Sequence, residues 1–177
     1  MKIEAVELRV VRLPLVTPFR TSQASQDERV ALLVCVHTSE GEGWADCPVD
    51  PGPFYEPEFL SGARAVMAEY LVPRLMAAPG LTAARVQAVL APVKGHQMAK
   101  AALETAVLDA ELRARQMSFA QYLGAVRDRV PVGVSVGIPG SLAELTGQVE
   151  GYLDQGYRRI KLKIGRASCR ERVCSVV

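Results

Sequence analysis

Hydrophobic and polar residues alternate through the first part of the chain, which is typical of strands that are buried on one face. The alternating segments predict three strands, which cover residues 2–14, 29–38 and 44–49. A glycine-containing turn at 39–43 joins the last two, so we predict an antiparallel meander. Pro14 and Pro18 lead us to place a loop at 16–28, and loops of about a dozen residues are commonly lids or binding segments.

From residue 56 onward the hydrophobic residues follow a helical period instead. The predicted helices cover residues 56–71, 83–90, 96–115 and 118–124. The helix at 96–115 is rich in alanine and apolar on most of its circumference, which indicates burial on several sides. Asp109 and Arg113 are spaced i, i+4 within it, so we expect them to form an ion pair.

The next part of the sequence predicts a strand, a helix and a second strand joined by short loops. Val130–Val136 and Arg158–Ile164 are strand-like, and Ser141 caps an amphipathic helix between them. This order is a βαβ unit, in which the two strands run parallel. The fold class that we predict is an α+β domain over 1–128, made of the meander and a helical bundle, followed at 129–164 by the opening of a β/α series.

The second of these strands carries the most distinctive chemistry, because isoleucine or leucine alternates with lysine over Ile160–Ile164. Lys161 and Lys163 project from the same side of a strand, so their two amines lie on one face of the sheet. This pattern by itself is typical of a half-buried strand with solvated lysines. A catalytic interpretation therefore depends on the surrounding sequence.

Charge and hydropathy exclude several classes of partner. Residues 1–163 contain 18 basic and 18 acidic side chains, because Arg166, Arg170, Arg172 and Glu171 account for the formal net charge of +2. No basic cluster marks a nucleic-acid interface, so we expect no nucleic-acid partner. No segment approaches the roughly 18 continuous apolar residues of a membrane span, and the amino terminus lacks a signal-peptide pattern. We therefore expect a cytoplasmic protein without a membrane partner.

The cysteines and histidines predict no metal site. Cys35 and Cys47 lie in predicted strands and are expected to be free, buried thiols. Cys169 and Cys174 are separated by a five-residue step without nearby histidines, which is a poor zinc signature. We judge His37, at the end of a predicted strand, to be isolated from partner acids or cysteines, so we expect an ordinary structural role for it.

Several motifs, in their order and spacing, resemble the o-succinylbenzoate synthase and N-acylamino acid racemase branch of the enolase superfamily. They are Leu15–Ser22, Gly41–Trp44, Lys94–His96, Met98–Lys100, Val107–Ala114, Val134–Ile138 and Gly156–Ile164. The resemblance covers residues 1 to about 163. It implies an amino-terminal capping domain followed by a TIM-like (β/α)7β barrel, of which this chain holds only the first βαβ unit.

The resemblance also implies roles for particular residues. Lys163 would be the acid/base that takes a proton α to a carboxylate, and Lys161 would add positive charge beside the resulting enediolate. The implied substrate-binding residues are Phe19, Arg20, Tyr55 and Ser135. The family implies a divalent metal, Mg²⁺ or Mn²⁺, and the carboxylates that would ligate it are absent from this chain. The second base that a racemase needs is absent as well.

We predict a fragment of an o-succinylbenzoate synthase, a lyase of menaquinone biosynthesis, and expect no catalysis from the chain as written. An N-acylamino acid racemase is the alternative, since both reactions pass through an enediolate of a small carboxylate substrate. A capping domain that acts alone as a binding module is a non-enzymatic alternative. We expect the full-length parent to be a homo-oligomer.

Residues 165–177 look foreign to the rest of the chain. They show neither helical nor strand periodicity, where a family member would continue toward its third barrel strand. Back-translation of Gly165–Val173 resembles a common short-read sequencing adapter read in frame, so we predict translated adapter sequence. A genuine carboxyl-terminal tail is the alternative, and the underlying codons distinguish the two.

Overall fold

The computed structural model describes residues 1–22 and 24–163, so the predicted foreign tail lies outside the described residues. The strands are β1 (Ile3–Arg20), β2 (Ser25–Thr38), β3 (Gly41–Cys47), β4 (Val134–Val136) and β5 (Ile160–Leu162). The helices are α1 (Leu60–Val66), α2 (Val72–Ala77), α3 (Ala83–Leu90), α4 (Gln97–Ala114), α5 (Phe119–Tyr122) and α6 (Leu142–Asp154). A π-helical turn, Met67–Leu71, connects α1 to α2. One sheet has the order β1-β2-β3, and β4 pairs with β5 in another.

The predicted loop at 16–28 is wrong, because β1 and β2 continue through most of it. The chain reverses at Thr21, whose backbone N–H donates to the carbonyl oxygen of Ala24 at 2.9 Å. Pro14 and Pro18 lie within β1, which is at the edge of the sheet. An edge strand has N–H positions that need no partner in the sheet, so it accommodates proline where a central strand would not.

The described chain divides into two compact units. The first comprises residues 1–13 and 30–126, and the second comprises the described residues of 14–29 and 127–163. The strands β1 and β2 thus contribute to both units. The predicted domain limits at 128 and 164 stay a prediction.

The core of the first unit lies between its sheet and its helices. Leu32, Val34 and Val36 alternate along β2 and are fully buried, as expected for the core-facing side of a strand. The helix α4 approaches β3 closely at Gly43, where a Cβ atom would lie 2.1 Å from the carbonyl oxygen of Ala106. Only glycine permits that contact, so this position sets how deeply α4 packs onto the sheet.

The long helix α4 confirms the prediction made from its alanine-rich sequence. Asp109 accepts a hydrogen bond from Arg113 Nε at 2.7 Å, which is the expected i, i+4 ion pair. The carboxylate of Glu58 accepts from the backbone N–H groups of Met98 and Ala99 at 3.0 and 3.2 Å, so it caps the amino terminus of the helix. None of the described helices combines the length and the apolar character needed to cross a membrane.

The expectation that His37 lacks acidic or sulfur neighbours is wrong. The β2–β3 register pairs His37 with Glu42, and strand alternation puts Cys35 on the same face as His37. On β1, Glu7 Oε1 lies 2.8 Å from His37 Nε2. Glu7 and His37 are 30 residues apart in the sequence, and strand pairing brings Glu7 beside the other three groups. Cys35 and Cys47 are free and buried, as predicted.

In the second unit the two strands are parallel, as predicted, but each is shorter than its hydrophobic pattern suggested. The hydroxyl of Ser141 accepts a hydrogen bond from the backbone N–H of Glu144 at 3.2 Å, so the predicted cap of α6 is confirmed. No residue of α6 is buried, and Leu142 is 75% exposed. Among the described residues β4 and β5 pair only with each other, which accounts for their short ladder.

Candidate functional site

Strands β4 and β5 bring three of the predicted site residues together at one end of the second unit. The parallel register places Ser135 beside Lys161 and Val136 beside Leu162. The backbone N–H of Lys163 donates to Val136 O at 2.9 Å, so Lys163 extends the ladder just past the end of β5. Strand alternation therefore directs the side chains of Lys161 and Lys163 to the same side as Ser135.

The hairpin tip formed by residues 14–29 contacts the segment that follows β4. The backbone N–H of Ile138 donates to Arg20 O at 2.9 Å. A Cβ atom on Gly137 would lie 3.1 Å from the same Arg20 oxygen and 3.5 Å from the ring of Phe19. Phe19 and Arg20 are thus held against the carboxyl end of β4, within the same unit as Ser135 and the two lysines.

A shallow groove of about 320 Å³ runs along this hairpin tip. Its lining residues are Leu15, Val16, Thr17, Phe19, Gln26 and Arg29. The lining is mainly apolar, with an arginine at its margin. Such a surface suits the apolar part of a small ligand, whereas the polar groups that would fix a carboxylate lie on β4 and β5.

The residues at the carboxyl ends of β4 and β5 favour an anion. Lys161 is exposed and Lys163 is half-buried, and no carboxylate lies among the described residues of β4, of β5 or of the position that follows β5. Ammonium groups donate hydrogen bonds and cannot ligate a cation. The resemblance described above implies a divalent metal, but the described residues at these strand ends supply no carboxylate to ligate it.

Tyr55, the remaining predicted substrate-binding residue, belongs to the first unit. It lies on the loop between β3 and α1, and its side chain is 71% exposed. The ends of that loop are fixed, because the N–H of Leu60 donates to Asp50 O at 2.9 Å. The proposed role of Tyr55 stays a prediction.

Sequence reasoning missed Gly137 as part of this site. Its importance comes from the close approach of the Arg20 main chain, which pairs residues more than a hundred positions apart. The available signal was a glycine directly after a strand that carries a candidate polar residue. Such a glycine often marks close approach of another segment of backbone.

The first two thirds of the sequence decide the family. The family model described as mandelate racemase / muconate lactonizing enzyme, N-terminal domain, matches residues 3–124. The chain belongs to this family of the enolase superfamily. Its members are racemases and lyases, and the meander with its helical block is the capping domain of that family.

Individual relatives of the family extend the match into the second unit. An N-succinylamino acid racemase from Amycolatopsis sp is 56% identical over 164 residues, which are 93% of this chain and 45% of that protein. An o-succinylbenzoate synthase from Enterococcus faecalis is 36% identical over 165 residues, which are 93% of this chain and 45% of that protein. A solved enolase-superfamily structure from Listeria innocua has a TM-score of 0.86 at 34% identity and covers 94% of this chain and 45% of its own. The chain spans less than half the length of the curated relatives that it matches.

Proposed function

We propose that this chain is the amino-terminal part of an enzyme that removes the proton α to a carboxylate, with o-succinylbenzoate synthase as the first assignment. The parallel register that puts Ser135 beside Lys161, with Lys163 one step beyond, carries the proposal. Barrel enzymes assemble their chemistry at the carboxyl ends of parallel strands. Relatives named for this synthase and for N-succinylamino acid racemase support it.

The proposed chemistry starts from the weak acidity of a proton next to a carboxylate. Lys163 takes that proton as the general base, and the electron pair of the broken C–H bond moves onto the carboxylate to give an enediolate. The ammonium group of Lys161 stabilises the added negative charge. Loss of a hydroxide from the neighbouring carbon, with the proton returned by Lys163, completes a dehydration, whereas return of a proton to the α-carbon completes a racemisation.

We assign the remaining site residues to substrate binding. Ser135 would hydrogen-bond the substrate beside Lys161, and Phe19 and Arg20 would cover it from the hairpin tip. Tyr55 would contribute from the loop before α1. In the whole protein the divalent metal would take its carboxylate ligands from outside this chain, and the second base of a racemase would come from there too.

The proposal predicts that the chain alone is inactive and that a hybrid restores activity. The hybrid joins residues 1–163 to the remaining barrel of the Amycolatopsis racemase, which is the positive control for racemisation, while the Enterococcus synthase is the positive control for dehydration. Turnover of 2-succinyl-6-hydroxycyclohexadiene carboxylate and of N-succinyl amino acids is measured in the presence of Mg²⁺. A folded hybrid without turnover of this compound or of N-succinyl amino acids would refute the proposal.

N-succinylamino acid racemase is the second candidate, favoured by the higher identity of the relative that carries that name. The two assignments differ in product, so measuring both activities on the full-length protein distinguishes them. Racemisation of N-succinyl amino acids faster than dehydration would reverse the order that we propose.

A capping domain that acts alone remains the non-enzymatic candidate, because the first unit has its own buried core. Calorimetric titration of the chain with N-succinyl amino acids tests it. We expect no saturable heat, since the proposed site needs groups from beyond the chain. Saturable binding without turnover would favour the module. We further propose a cytoplasmic location. We also propose that the parent is a homo-oligomer, and light scattering of the full-length protein tests this oligomeric state.

A further inference from the structure

A second group of reactive side chains lies in the first unit, on the sheet face that points away from the helices. Cys35 and His37 alternate with the core residues Val34 and Val36, so they occupy the opposite face of β2. The neighbouring strands add Glu7 from β1 and Glu42 from β3. We call these four residues the outer-face cluster.

One ligand atom from each of Cys35, His37 and Glu42 lies within 4.8 Å of the other two, and Glu7 adjoins them through His37. Cys35 Sγ lies 3.7 Å from His37 Nε2 and 4.0 Å from Glu42 Oε2. Glu7 Oε1 lies 2.8 Å from His37 Nε2, and His37 Nδ1 lies 3.9 Å from Glu42 Oε2. Tetrahedral zinc with ordinary bond lengths separates a sulfur from a nitrogen or oxygen ligand by about 3.5 Å, and both distances from Cys35 Sγ are within about half an ångström of that value.

Two further residues hold the carboxylates in the orientation that a metal needs. Glu7 Oε2 accepts from Arg9 Nε at 2.7 Å, which leaves Oε1 facing His37. Glu42 Oε1 accepts from the indole N–H of Trp44 at 3.1 Å, which leaves Oε2 facing Cys35. Donors that fix the outer oxygen of a ligating carboxylate are the usual support of a metal centre.

We propose that the outer-face cluster binds one divalent ion of the zinc class through Cys35, His37, Glu42 and Glu7. A thiolate, an imidazole and carboxylates are the donor set that Zn²⁺ accepts, whereas Mg²⁺ prefers six oxygen ligands. With the thiol deprotonated, the two carboxylates and the sulfur carry three negative charges, and Arg9 carries one positive charge. A divalent ion balances the remainder.

The site is distinct from the proposed active site in both location and chemistry. All four ligands and both supporting residues belong to the first unit. The ion would join β1, β2 and β3, so its role is to stabilise the sheet of the capping domain. The inference does not rest on the proposed catalytic function.

Without the ion, the thiol of Cys35 is held in its protonated form. Burial raises the pKa of Cys35, and the negative charges of Glu42 and Glu7 raise it further, while Arg9 and Arg113 act in the opposite direction.

Co²⁺ is the probe that tests the proposal, because a cobalt–thiolate bond absorbs in the near ultraviolet. The full chain carries Cys169→Ser and Cys174→Ser, so that thiols outside the described residues cannot contribute. We expect stoichiometric binding with a charge-transfer band that Zn²⁺ abolishes by displacing the cobalt. Cys35→Ser loses the band, and the matched control Cys47→Ser, at the other buried thiol, retains it.

Three further variants keep the test decisive if Cys35→Ser fails to fold. His37→Gln and Glu42→Gln change side chains that are partly exposed, and each is expected to weaken Co²⁺ binding more than 10-fold. Trp44→Phe keeps an aromatic side chain but removes the supporting indole N–H. We expect it to lower the affinity for Co²⁺ by about 10- to 100-fold. Zn²⁺, unlike Mg²⁺, raises the unfolding temperature of the parent chain. Absence of the band, its survival in Cys35→Ser, its loss in Cys47→Ser, or unchanged affinity in both His37→Gln and Glu42→Gln would overturn the proposal.

Discussion

Lys163 is the residue on which the proposed proton transfer depends. Its backbone N–H completes the β4–β5 ladder, so the side-chain amine leaves the strand from a fixed point. In the hybrid enzyme, Lys163→Ala should slow exchange of the substrate α-proton with solvent deuterium by about 100- to 10,000-fold, as expected for loss of a general base. Lys94→Ala, at an exposed lysine of the first unit, is the matched control and should leave exchange unchanged. Full exchange in Lys163→Ala would reassign the base.

Cys47 gives the chain a pH dependence at the residue scale. Burial raises the pKa of this thiol to about 11 from its ordinary value of about 9, and Glu58 and Asp46 add to the effect. The folded chain thus keeps a proton that the unfolded chain releases between those values, so stability falls as pH rises through this window.

Urea unfolding of the parent and of Cys47→Ala between pH 8 and about 11 measures this dependence. The free energy of unfolding of the parent should fall more steeply than that of Cys47→Ala, because alanine has no proton to release. Parallel curves for the two proteins would contradict the buried, protonated state of the thiol.

At the scale of elements, β3 and α4 are in close contact at Gly43. Among the glycines of the first unit, Gly43 is the one where an added Cβ atom would lie nearest to another atom. A Cβ atom on Gly43 would lie 2.1 Å from Ala106 O and 2.3 Å from Ala110 N. Gly43→Ala must therefore push the helix from the sheet, at a cost of about 3 kcal/mol or more in the free energy of unfolding. Gly147→Ala in α6, where the added atom meets open space, is the matched control and should cause no loss. Equal stability of the two variants would contradict the packing described above.

At the scale of the whole molecule, burial is concentrated in the first unit. The core there includes fully buried residues of β2 and α4, whereas α6 has no buried residue and Val132 is 68% exposed. Hydrogen exchange should therefore be slow in β2, β3 and α4 and fast throughout 130–163. The exposed apolar side chains of that segment should also bind a hydrophobic dye and favour aggregation. Slow exchange across 130–163 in a soluble monomer would contradict this expectation.

Much of the architecture could be predicted because periodicity reports directly on burial. Alternation around Leu32, Val34 and Val36 and the alanine-rich period of α4 predicted a strand and a buried helix, and both are present. The loop predicted at 16–28 failed because a proline restricts the backbone in the same way at an edge strand and in a loop. Only the position of β1 in the sheet separates the two cases.

The sequence by itself determined the order of elements and the two lysines on one side of a strand. The tertiary structure decided which distant groups meet: Ser135 with Lys161, the Arg20 main chain with Gly137, and Glu7 with His37. The physical reason is that the type of an element follows from the spacing of hydrophobic residues that are near one another in the sequence. Strand register and backbone approach depend instead on residues that the sequence keeps far apart.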